Sequence, residues 1–350
     1  MRPEQSCNNA YFDCEIVGNR SQEAKIMQNS KQRIRLLSVT LVFVLATISG
    51  CASTTQAPGI FTVFLLPDTQ NYAEKFPDTY TAQTEWIRSR VKPDNVSFVI
   101  HLGDIVQNAY VVKEWDNADQ AHRVLDGVVP YSVAPGNHDI DHVDGNMTRG
   151  TSLYDKYFGP SRFRGRAWYG GHMGQSNANN YCFFESGGLK FMVLSLEYAP
   201  TDSTLTWASD VLAAHGDRRV IVETHYYMRT DGRGKGTSLG GYIGDDLWEK
   251  FIRKHGNIFM VVSGHVGGVY HQTSTNDAGL PVHEILCDYQ GLPNGGDGWL
   301  QWLRFVPAEN EIYVEAYSPV LDKRNLAPAH TYRLDYRMTE GVSPGASPSR

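Results

Sequence analysis

The chain has 350 residues, of which 41% are hydrophobic and 20% are charged, a composition typical of one large globular domain or two small ones. Its formal net charge is −6, from 32 Lys and Arg against 38 Asp and Glu. The first 50 residues hold six Lys or Arg and four Asp or Glu, so their removal leaves 26 against 34 and a charge of −8. This balance gives no strong nucleic-acid signal, because nucleic-acid backbones and anionic lipid faces attract basic proteins.

Basic residues before a short apolar run predict a secretory signal near the amino terminus. Lys31, Arg33 and Arg35 precede the run 36–48, which is shorter than the roughly 20 apolar residues that a membrane-spanning helix needs. We expect residues 1–50 to be a signal with an N-terminal extension that is removed. Met27 begins a short basic lead of the right kind and is the expected true start.

The apolar run ends in Ile48-Ser49-Gly50-Cys51, which resembles a bacterial lipoprotein signal box. The resemblance implies cleavage before Cys51, lipid attachment to its sulfur, and a protein anchored in a membrane of the bacterial cell envelope. Residues 51–58 would be the lipidated tether, and Ala52 is compatible with delivery to the outer membrane. An ordinary cleaved signal, or an uncleaved anchor with Cys51 incidental, stays open.

Strand-like apolar runs alternate with helix-like runs from residue 59 onward, as in the βαβ units of an α/β domain. We expect this domain over residues 59–336. The segment 141–180 lacks clear periodicity, and a loop of that length is usually functional or partly structured. After Gly267 the pattern predicts antiparallel strands that complete a second sheet, and residues 337–350 are expected to be a flexible tail.

Cys182 and Cys287 are the cysteines of the expected domain. In an oxidising envelope they could form a disulfide. Two separate buried thiols are an equally good interpretation, because the sequence does not place their Cα atoms within bonding range. The sequence has no Cys-x-x-Cys pattern, so a thiolate zinc site is not supported.

Five short polar motifs each follow a strand-like apolar run. They are Asp68-Thr69-Gln70, Gly103-Asp104 with Asn108, Gly136-Asn137-His138-Asp139, His225 and Gly264-His265. Hard oxygen ligands and imidazoles at the carboxyl ends of parallel strands favour a divalent-metal site in an α/β fold. Taken singly, the Asp and Asn residues also fit turns after strands, and a lone His is often structural.

In this order the motifs resemble the calcineurin-like metallophosphoesterase family, from Phe61 to about Gly267. The resemblance implies a four-layer α/β/β/α sandwich of two mixed sheets with outer helices, and two divalent metal ions (manganese, iron or zinc). His138 would donate a proton to the leaving oxygen or hold the phosphate, and Asp139 would orient the His138 imidazole. The implied ligands are Asp68 and Gln70 for the first ion, Asp104 for both ions, and Asn137, His225 and His265 for the second ion.

Two residues depart from the family pattern, and both departures weaken the first ion's ligand shell. Gln70 stands where the family usually has His, and it is either a weak uncharged ligand or an outer hydrogen-bond donor. Gly267 stands where the family's Gly-His-x-His run supplies a second imidazole. Water or a neighbour such as His271 or His283 would fill the gap, or this ion would bind only with substrate, or one metal ion would suffice.

We therefore expect a metal-dependent phosphoesterase that hydrolyses a phosphate mono- or diester with a metal-bound hydroxide. The alternative is a non-catalytic metal- or ligand-binding surface lipoprotein on a degraded phosphoesterase scaffold, which the weakened first shell motivates. Fold resemblance does not decide the substrate, because function depends on the site.

Several residues near the motifs have two interpretations. Asn108 would hold its motif loop or cap a helix. The segment Arg229–Lys235 is interpreted as a solvated loop or as a phosphate contact. Asp288-Tyr289-Gln290 ends a strand without an assigned role. The candidates for lining a substrate pocket, with ordinary packing as the alternative, are Trp168, Tyr169, His172 and Tyr226.

Overall fold

The computed structural model describes residues 59–338. The predicted signal, Cys51, the tether up to residue 58 and the tail from residue 339 lie outside the described residues. Within 59–338, no helix is both long and apolar enough to cross a membrane.

The helices of the described region are mostly short. Pro77 occupies the first turn of the second helix, where its missing N–H costs nothing, and the Thr201 hydroxyl caps the sixth helix by accepting the N–H of Thr204. The helices are α1 Gln70–Lys75, α2 Pro77–Arg90, α3 Val112–Arg123, α4 Ser152–Phe158, α5 Pro160–Phe163, α6 Asp202–Ala214, α7 Gly244–Lys250 and α8 Pro293–Gly296, with a 3-10 helix at Ile252–Lys254.

The strands Phe61–Leu66 and Ile258–Ser263 are nearly continuous apolar runs that are buried along their whole length, as expected for strands that are covered on both faces. The strands are β1 Phe61–Leu66, β2 Val96–His101, β3 Tyr131–Val133, β4 His142–Val143, β5 Asn146–Met147, β6 Tyr169–His172, β7 Asn180–Ser186, β8 Leu189–Leu196, β9 Arg219–Thr224, β10 Met228–Arg229, β11 Gly232–Arg233, β12 Thr237–Ser238, β13 Gly241–Tyr242, β14 Ile258–Ser263, β15 Gly268–Thr275, β16 Pro281–Asp288, β17 Leu300–Val306, β18 Glu311–Ser318, β19 Lys323–Asn325 and β20 Tyr332–Asp335.

Most of these strands form two mixed seven-stranded sheets. The first sheet has the order β19-β18-β17-β1-β2-β3, with β20 also paired to β18. In it β1, β2 and β3 are parallel, while β17 is antiparallel to β1. The second sheet has the order β15-β16-β14-β9-β8-β7-β6, and β8, β9, β14 and β16 are parallel neighbours.

The main core lies between the two sheets. Along β1, Phe61, Val63 and Leu65 belong to this inner core, whereas Phe64 and Leu66 belong to the core beneath helices α1 to α4. Helices α6 and α7 cover the outer face of the second sheet. Because side chains alternate between the two faces of each strand, the strands supply apolar residues to three layers of core. Each fully buried Phe stabilises the folded state by roughly 1.5–3 kcal/mol. The expected four-layer α/β/β/α sandwich is confirmed.

The structure bears on three of the predictions made from the sequence. The segment 141–180 holds the β4–β5 hairpin, two short helices and β6, so it is partly structured. Met338, which was expected in the flexible tail, is 2% exposed and packs in the inner core. Cys182 and Cys287 are free thiols in that same core, so they form no disulfide with each other.

Candidate metal centre

The loops that follow β1 and β2 are joined through backbone and side-chain contacts. The N–H of Thr69 donates to the carbonyl of Asp104 at 3.1 Å, which keeps the two parallel strand ends together. The buried Asp68 carboxylate reaches across to the second sheet, where its Oδ2 accepts the N–H of His265 at 2.9 Å. Its Oδ1 is buried and has no hydrogen-bond partner.

Gln70, the first residue of α1, has its amide oriented by a neighbour. Its Nε2 donates to Oε1 of Gln107 at 2.9 Å, and its Oε1 is buried with no partner. A buried acceptor without a donor costs about 1–3 kcal/mol, and a hard cation satisfies such an oxygen. This arrangement favours Gln70 as a ligand over Gln70 as an outer donor.

The Gly103-Asp104 turn bends the chain sharply at the predicted bridging residue. Gly103 has φ 92° and Asp104 has φ 50°, the left-handed region that costs a side-chain-bearing residue energy. Asp104 Oδ1 accepts the N–H of His138 at 2.9 Å, and Oδ2 lies 3.1 Å from Nε2 of His225. The carboxylate thus lies between the strand ends of both sheets.

Asn137 and His138 follow β3 at the same edge. Asn137 Oδ1 is buried without a partner, like the free oxygens of Asp68 and Gln70. Nδ1 of His138 lies 2.8 Å from the carbonyl of Gln107, so this nitrogen carries a proton and Nε2 is the nitrogen left for a substrate. His138 is half-buried, which gives it access to a bound ligand.

The Asp139 carboxylate makes no hydrogen bond or ion pair with the His138 imidazole, contrary to the predicted pairing. Its carboxylate accepts the N–H groups of Ile105 and Val106, both at 3.0 Å, and of Gly136 at 2.8 Å. Backbone N–H groups in a tight turn need acceptors, and the carboxylate supplies them. Asp139 is therefore a positioning residue that fastens the Asp104 loop to the Asn137 loop.

Two imidazoles enter from the second sheet, His225 after β9 and His265 after β14. Nδ1 of His225 donates to the carbonyl of Leu102 at 2.8 Å, which leaves Nε2 facing Asp104 Oδ2 and, at 3.3 Å, Nδ1 of His265. A backbone carbonyl on one ring nitrogen is the usual way to orient a metal-ligating His. The N–H of Gly264 also donates to the carbonyl of His225 at 3.1 Å, which joins the two loops.

These contacts bring Asp104, His225 and His265 together, with one ligand atom from each lying within 4.8 Å of the others. One carboxylate and two imidazoles form a donor set suited to a borderline divalent ion. The buried oxygens of Asp68, Gln70 and Asn137 that lack partners are acceptors, which a cation satisfies. The residues present therefore fit the divalent ions that the fold implies.

Two glycines let the backbone approach the carboxylates. A Cβ on Gly136 would lie 2.8 Å from Cγ of Asp104, and a Cβ on Gly264 would lie 3.0 Å from Cγ of Asp68 and closer still to Oδ1. These contacts are shorter than the van der Waals separation, so neither position accepts a side chain without movement of the carboxylate.

Electrostatic interactions in the centre are strong because the groups are buried. Burial and the nearby charge of Asp288 raise the pKa of Asp68 well above its usual value. Burial alone would lower the pKa of His225, but the carboxylates of Asp104 and Asp68 outweigh it and raise that pKa to about 10. Burial lowers the pKa of His265 to about 4, with the charge of His225 adding to the effect. The centre thus gathers carboxylates that a cation would stabilise.

Asp288 and Gln290 are site residues to which the sequence assigned no role. Asp288 ends β16, is fully buried, and accepts the N–H of Gln290 on Oδ1 at 2.8 Å. Burial is the largest cause raising its pKa to about 6. The apolar run that ends in Asp288 resembles the run before Asp68 and could have indicated a site residue. The sequence did not show, however, that β16 lies beside β14.

The other predicted neighbours divide between the site and the packing. Tyr226 lies at the centre, with its ring 4.1 Å from the His265 ring. Trp168 and Tyr169 pack against the cores, and His172 lies in β6. His271 stacks on Tyr332, and His283 contacts Thr273 and the carbonyl of Asp335, so these two imidazoles are held by other partners.

Asn108 holds its motif loop, as one of its two interpretations predicted. Its Nδ2 donates to Oε1 of Glu114 at 2.8 Å, and its N–H donates to Oε2 of the same carboxylate. Helix α3 begins after Val111, so Asn108 is not its N-cap.

The segment Arg229–Lys235 forms the β10–β11 hairpin beside Tyr226. Arg233 is held by Glu284, with Nη2 donating to Oε1 at 2.9 Å, and Arg229 pairs with Asp231. Arg229, Asp231 and Arg233 line an open cavity of about 540 Å³ together with Tyr226. The segment interpreted as a solvated loop therefore contains a two-stranded hairpin, which lies beside Tyr226 of the candidate metal centre.

The fold and this centre define a class of protein, and sequence comparison agrees. The chain matches the family described as Calcineurin-like phosphoesterase over residues 61–268, more than half of its length. The protein belongs to the calcineurin-like phosphoesterase family.

Two similar proteins extend this comparison. The chain is 35% identical over 283 residues to the uncharacterized protein YvnB of Bacillus subtilis (strain 168), in a match that covers 79% of this chain and 21% of YvnB. The chain thus spans about a fifth of that relative's length. Purple acid phosphatase PPD1 from yellow lupin (Lupinus luteus) seeds has a similar fold, with a TM-score of 0.53 at 13% identity, covering 81% of this chain and 55% of PPD1.

Proposed function

We propose that this protein hydrolyses a phosphate mono- or diester with two divalent ions, drawn from manganese, iron and zinc. The observation that carries the proposal is the convergence of Asp104, His225 and His265 within 4.8 Å, at the edge where strands of both sheets end. The membership of the chain in the phosphoesterase family supports it.

The ions would be held by residues of both sheets. Asp68, Gln70 and Asp104 would hold the first, and Asp104, Asn137, His225 and His265 the second. Two ions so placed supply positive charge to the phosphoryl oxygens and lower the pKa of an attacking water. The protein contributes orientation: Leu102 fixes the His225 ring through its carbonyl, and Asp139 fastens the loops that carry Asp104 and Asn137.

His138 is the group that would move a proton. Its Nδ1–H donates to the carbonyl of Gln107, an acceptor that suits both the neutral imidazole and the imidazolium. Nε2 is then available to give a proton to the leaving oxygen as the phosphorus–oxygen bond breaks. The backbone N–H of His138 donates to Asp104 Oδ1 and keeps the ring beside the centre.

A second candidate is a metal- or ligand-binding scaffold without turnover. The observation that favours it is the pair of departures from the family pattern at Gln70 and Gly267, which removes two imidazoles from the first ion's shell. The buried Gln70 oxygen that lacks a donor argues for a retained site, so we place hydrolysis first.

The test is hydrolysis of p-nitrophenyl phosphate and bis(p-nitrophenyl) phosphate after loading with manganese, iron or zinc, with metal content measured on the same samples. We expect turnover that falls about 10²–10⁴-fold in His138→Gln while metal content is unchanged. His215→Gln, at the end of α6, is the control that should keep full activity. Bound metal without turnover on either ester would leave the scaffold hypothesis standing and hydrolysis refuted.

We also propose that Cys51 anchors the protein to the bacterial envelope membrane. The basic residues, the apolar run 36–48 and Ile48-Ser49-Gly50-Cys51 support this proposal. Mass spectrometry of the amino-terminal peptide should find acyl chains on Cys51, and Cys51→Ser should release the protein from membranes. An unmodified Cys51 in a membrane-bound protein would refute the lipid anchor.

A further inference from the structure

A third buried carboxylate lies beside the first ion's predicted ligands. Asp288 is fully buried at the end of β16, the parallel neighbour of β14. In the β15–β16 ladder Asp288 pairs with Gly268, next to Gly267 where an imidazole is missing. The strand end therefore brings an anionic oxygen donor to the region that lacks a nitrogen donor.

Asp288 and Asp68 are linked by a single amide group. Gln290 Nε2 donates to Oδ2 of Asp288 at 3.0 Å and to Oδ2 of Asp68 at 3.4 Å. The backbone N–H of Gln290 donates to Oδ1 of Asp288, and Nδ2 of Asn71 in α1 donates to the backbone carbonyl of Gln290 at 3.1 Å. The two carboxylates thus share one donor, whose residue is in turn held by Asn71 of α1.

An independent observation points to a cation at this place. Asp68 Oδ1 and Gln70 Oε1 are both buried acceptors without a donor. Two buried carboxylates and a buried amide oxygen together present more acceptors than the Gln290 amide can satisfy. A divalent ion supplies what such a group of oxygens needs, and hard ions accept six to eight of them.

We infer that Asp288 is a metal ligand, and that Asp68, Gln70, Asp104 and Asp288 form an all-oxygen site for a hard divalent ion such as Mg²⁺, Mn²⁺ or Ca²⁺. Three carboxylates and an amide prefer these ions, whereas the site with His225 and His265 prefers borderline ions such as Zn²⁺. The protein would then hold two different ions side by side. The inference shares Asp68, Gln70 and Asp104 with the first ion of the proposed function and rests on it to that extent.

Calorimetric titration of the metal-stripped protein tests this, with Mg²⁺, Mn²⁺, Ca²⁺ and Zn²⁺ added separately. We expect one site that takes the hard ions and a second that prefers Zn²⁺. Asp288→Asn should weaken Mn²⁺ and Mg²⁺ binding at the first site by more than the roughly 10–100-fold that loss of an outer-shell partner costs. Zn²⁺ binding at the second site should persist. Asp277→Asn, in the turn between β15 and β16, is the matched control and should change neither site.

A second variant keeps the test valid if Asp288→Asn folds poorly, which thermal unfolding would reveal. A Cβ on Gly267 meets no atom within 4 Å, so a side chain can begin at this position, and Gly267→His is the second variant. With Asp288 kept, this variant should move the ion preference of the first site from Mg²⁺ toward Zn²⁺, and an unchanged preference would overturn the inference. Unchanged Mg²⁺ and Mn²⁺ affinity in Asp288→Asn would overturn the inference. Two bound ions with no ester turnover would refute the proposed function and leave the inference standing.

Discussion

Gly264→Ala is a direct test of the close approach between the β14 loop and Asp68. Gly264 does not have a positive φ, so its backbone accepts alanine, and the added methyl group is the whole perturbation. That methyl would lie 3.0 Å from Cγ and 3.3 Å from Oδ2 of Asp68, and closer to Oδ1. Carbon atoms pack at about 3.5–4.0 Å, so the carboxylate must move by about 1 Å.

The size of the effect follows from this movement. Asp68 is 1% exposed and is held by His265 and Gln290, so it has little room to move. Overpacking of this kind costs about 1–3 kcal/mol of stability. A displacement of about 1 Å in a reacting constellation costs about 10²-fold in rate, and the proposed phosphoesterase activity should fall accordingly.

Urea unfolding and ester hydrolysis measure the two effects on the same protein samples. The matched control is Gly267→Ala in the same loop, where the new Cβ meets nothing within 4 Å. The control should be neutral, or more stable by up to about 1 kcal/mol because alanine restricts the unfolded chain. If Gly264→Ala and Gly267→Ala had equal stability and equal activity, the argument from close approach would be wrong.

Three further predictions concern charge. Arg233→Met leaves the charge of the fully buried Glu284 unpaired and should lower the free energy of unfolding in urea by about 3–5 kcal/mol; a loss below 1 kcal/mol would contradict this. Burial lowers the pKa of His122 to about 3. Between pH 6.5 and 3 the unfolded chain therefore binds a proton that the folded chain does not, and the free energy of unfolding decreases as the pH is lowered through this range. His122→Gln should remove about 2.7 kcal/mol of that loss at pH 4.5, and identical pH slopes would disprove it. EDTA should lower the thermal unfolding midpoint, and Mn²⁺ at 100 times its Kd should restore about 2.7 kcal/mol per site; a midpoint that ignores both would contradict metal binding.

The strands could be predicted because covered strands are continuous apolar runs. The runs before Asp68 and His265 became β1 and β14, and the alternation with helices gave the α/β class. The helical spacing of Leu247, Phe251 and Ile252 predicts one helix over residues 245–254. The structure divides it into α7 and a 3-10 helix, because Phe251 has φ −137° and ψ −62°. Helical spacing of apolar residues survives such a break, so periodicity alone does not reveal it.

The convergence of Asp104, His225 and His265 could be predicted because their motifs each follow a strand and together resemble a known family. The role of Asp139 could not, since the sequence does not show whether a carboxylate meets an imidazole or backbone N–H groups. Asp288 was missed for a different reason: its strand is connected to β14 through the antiparallel β15, yet pairs with β14 in parallel. Residues brought together by non-local strand order carry no local signal.

The centre draws its donors from both sheets, and this has a consequence for folding kinetics. Asp68 and Asp104 belong to the first sheet, whereas His225, His265 and Asp288 belong to the second, so complete sites exist only after the sheets have docked. Interactions that form after the transition state slow unfolding and leave the folding rate nearly unchanged. A bound ion should therefore slow the separation of the two sheets and lengthen the lifetime of the native state.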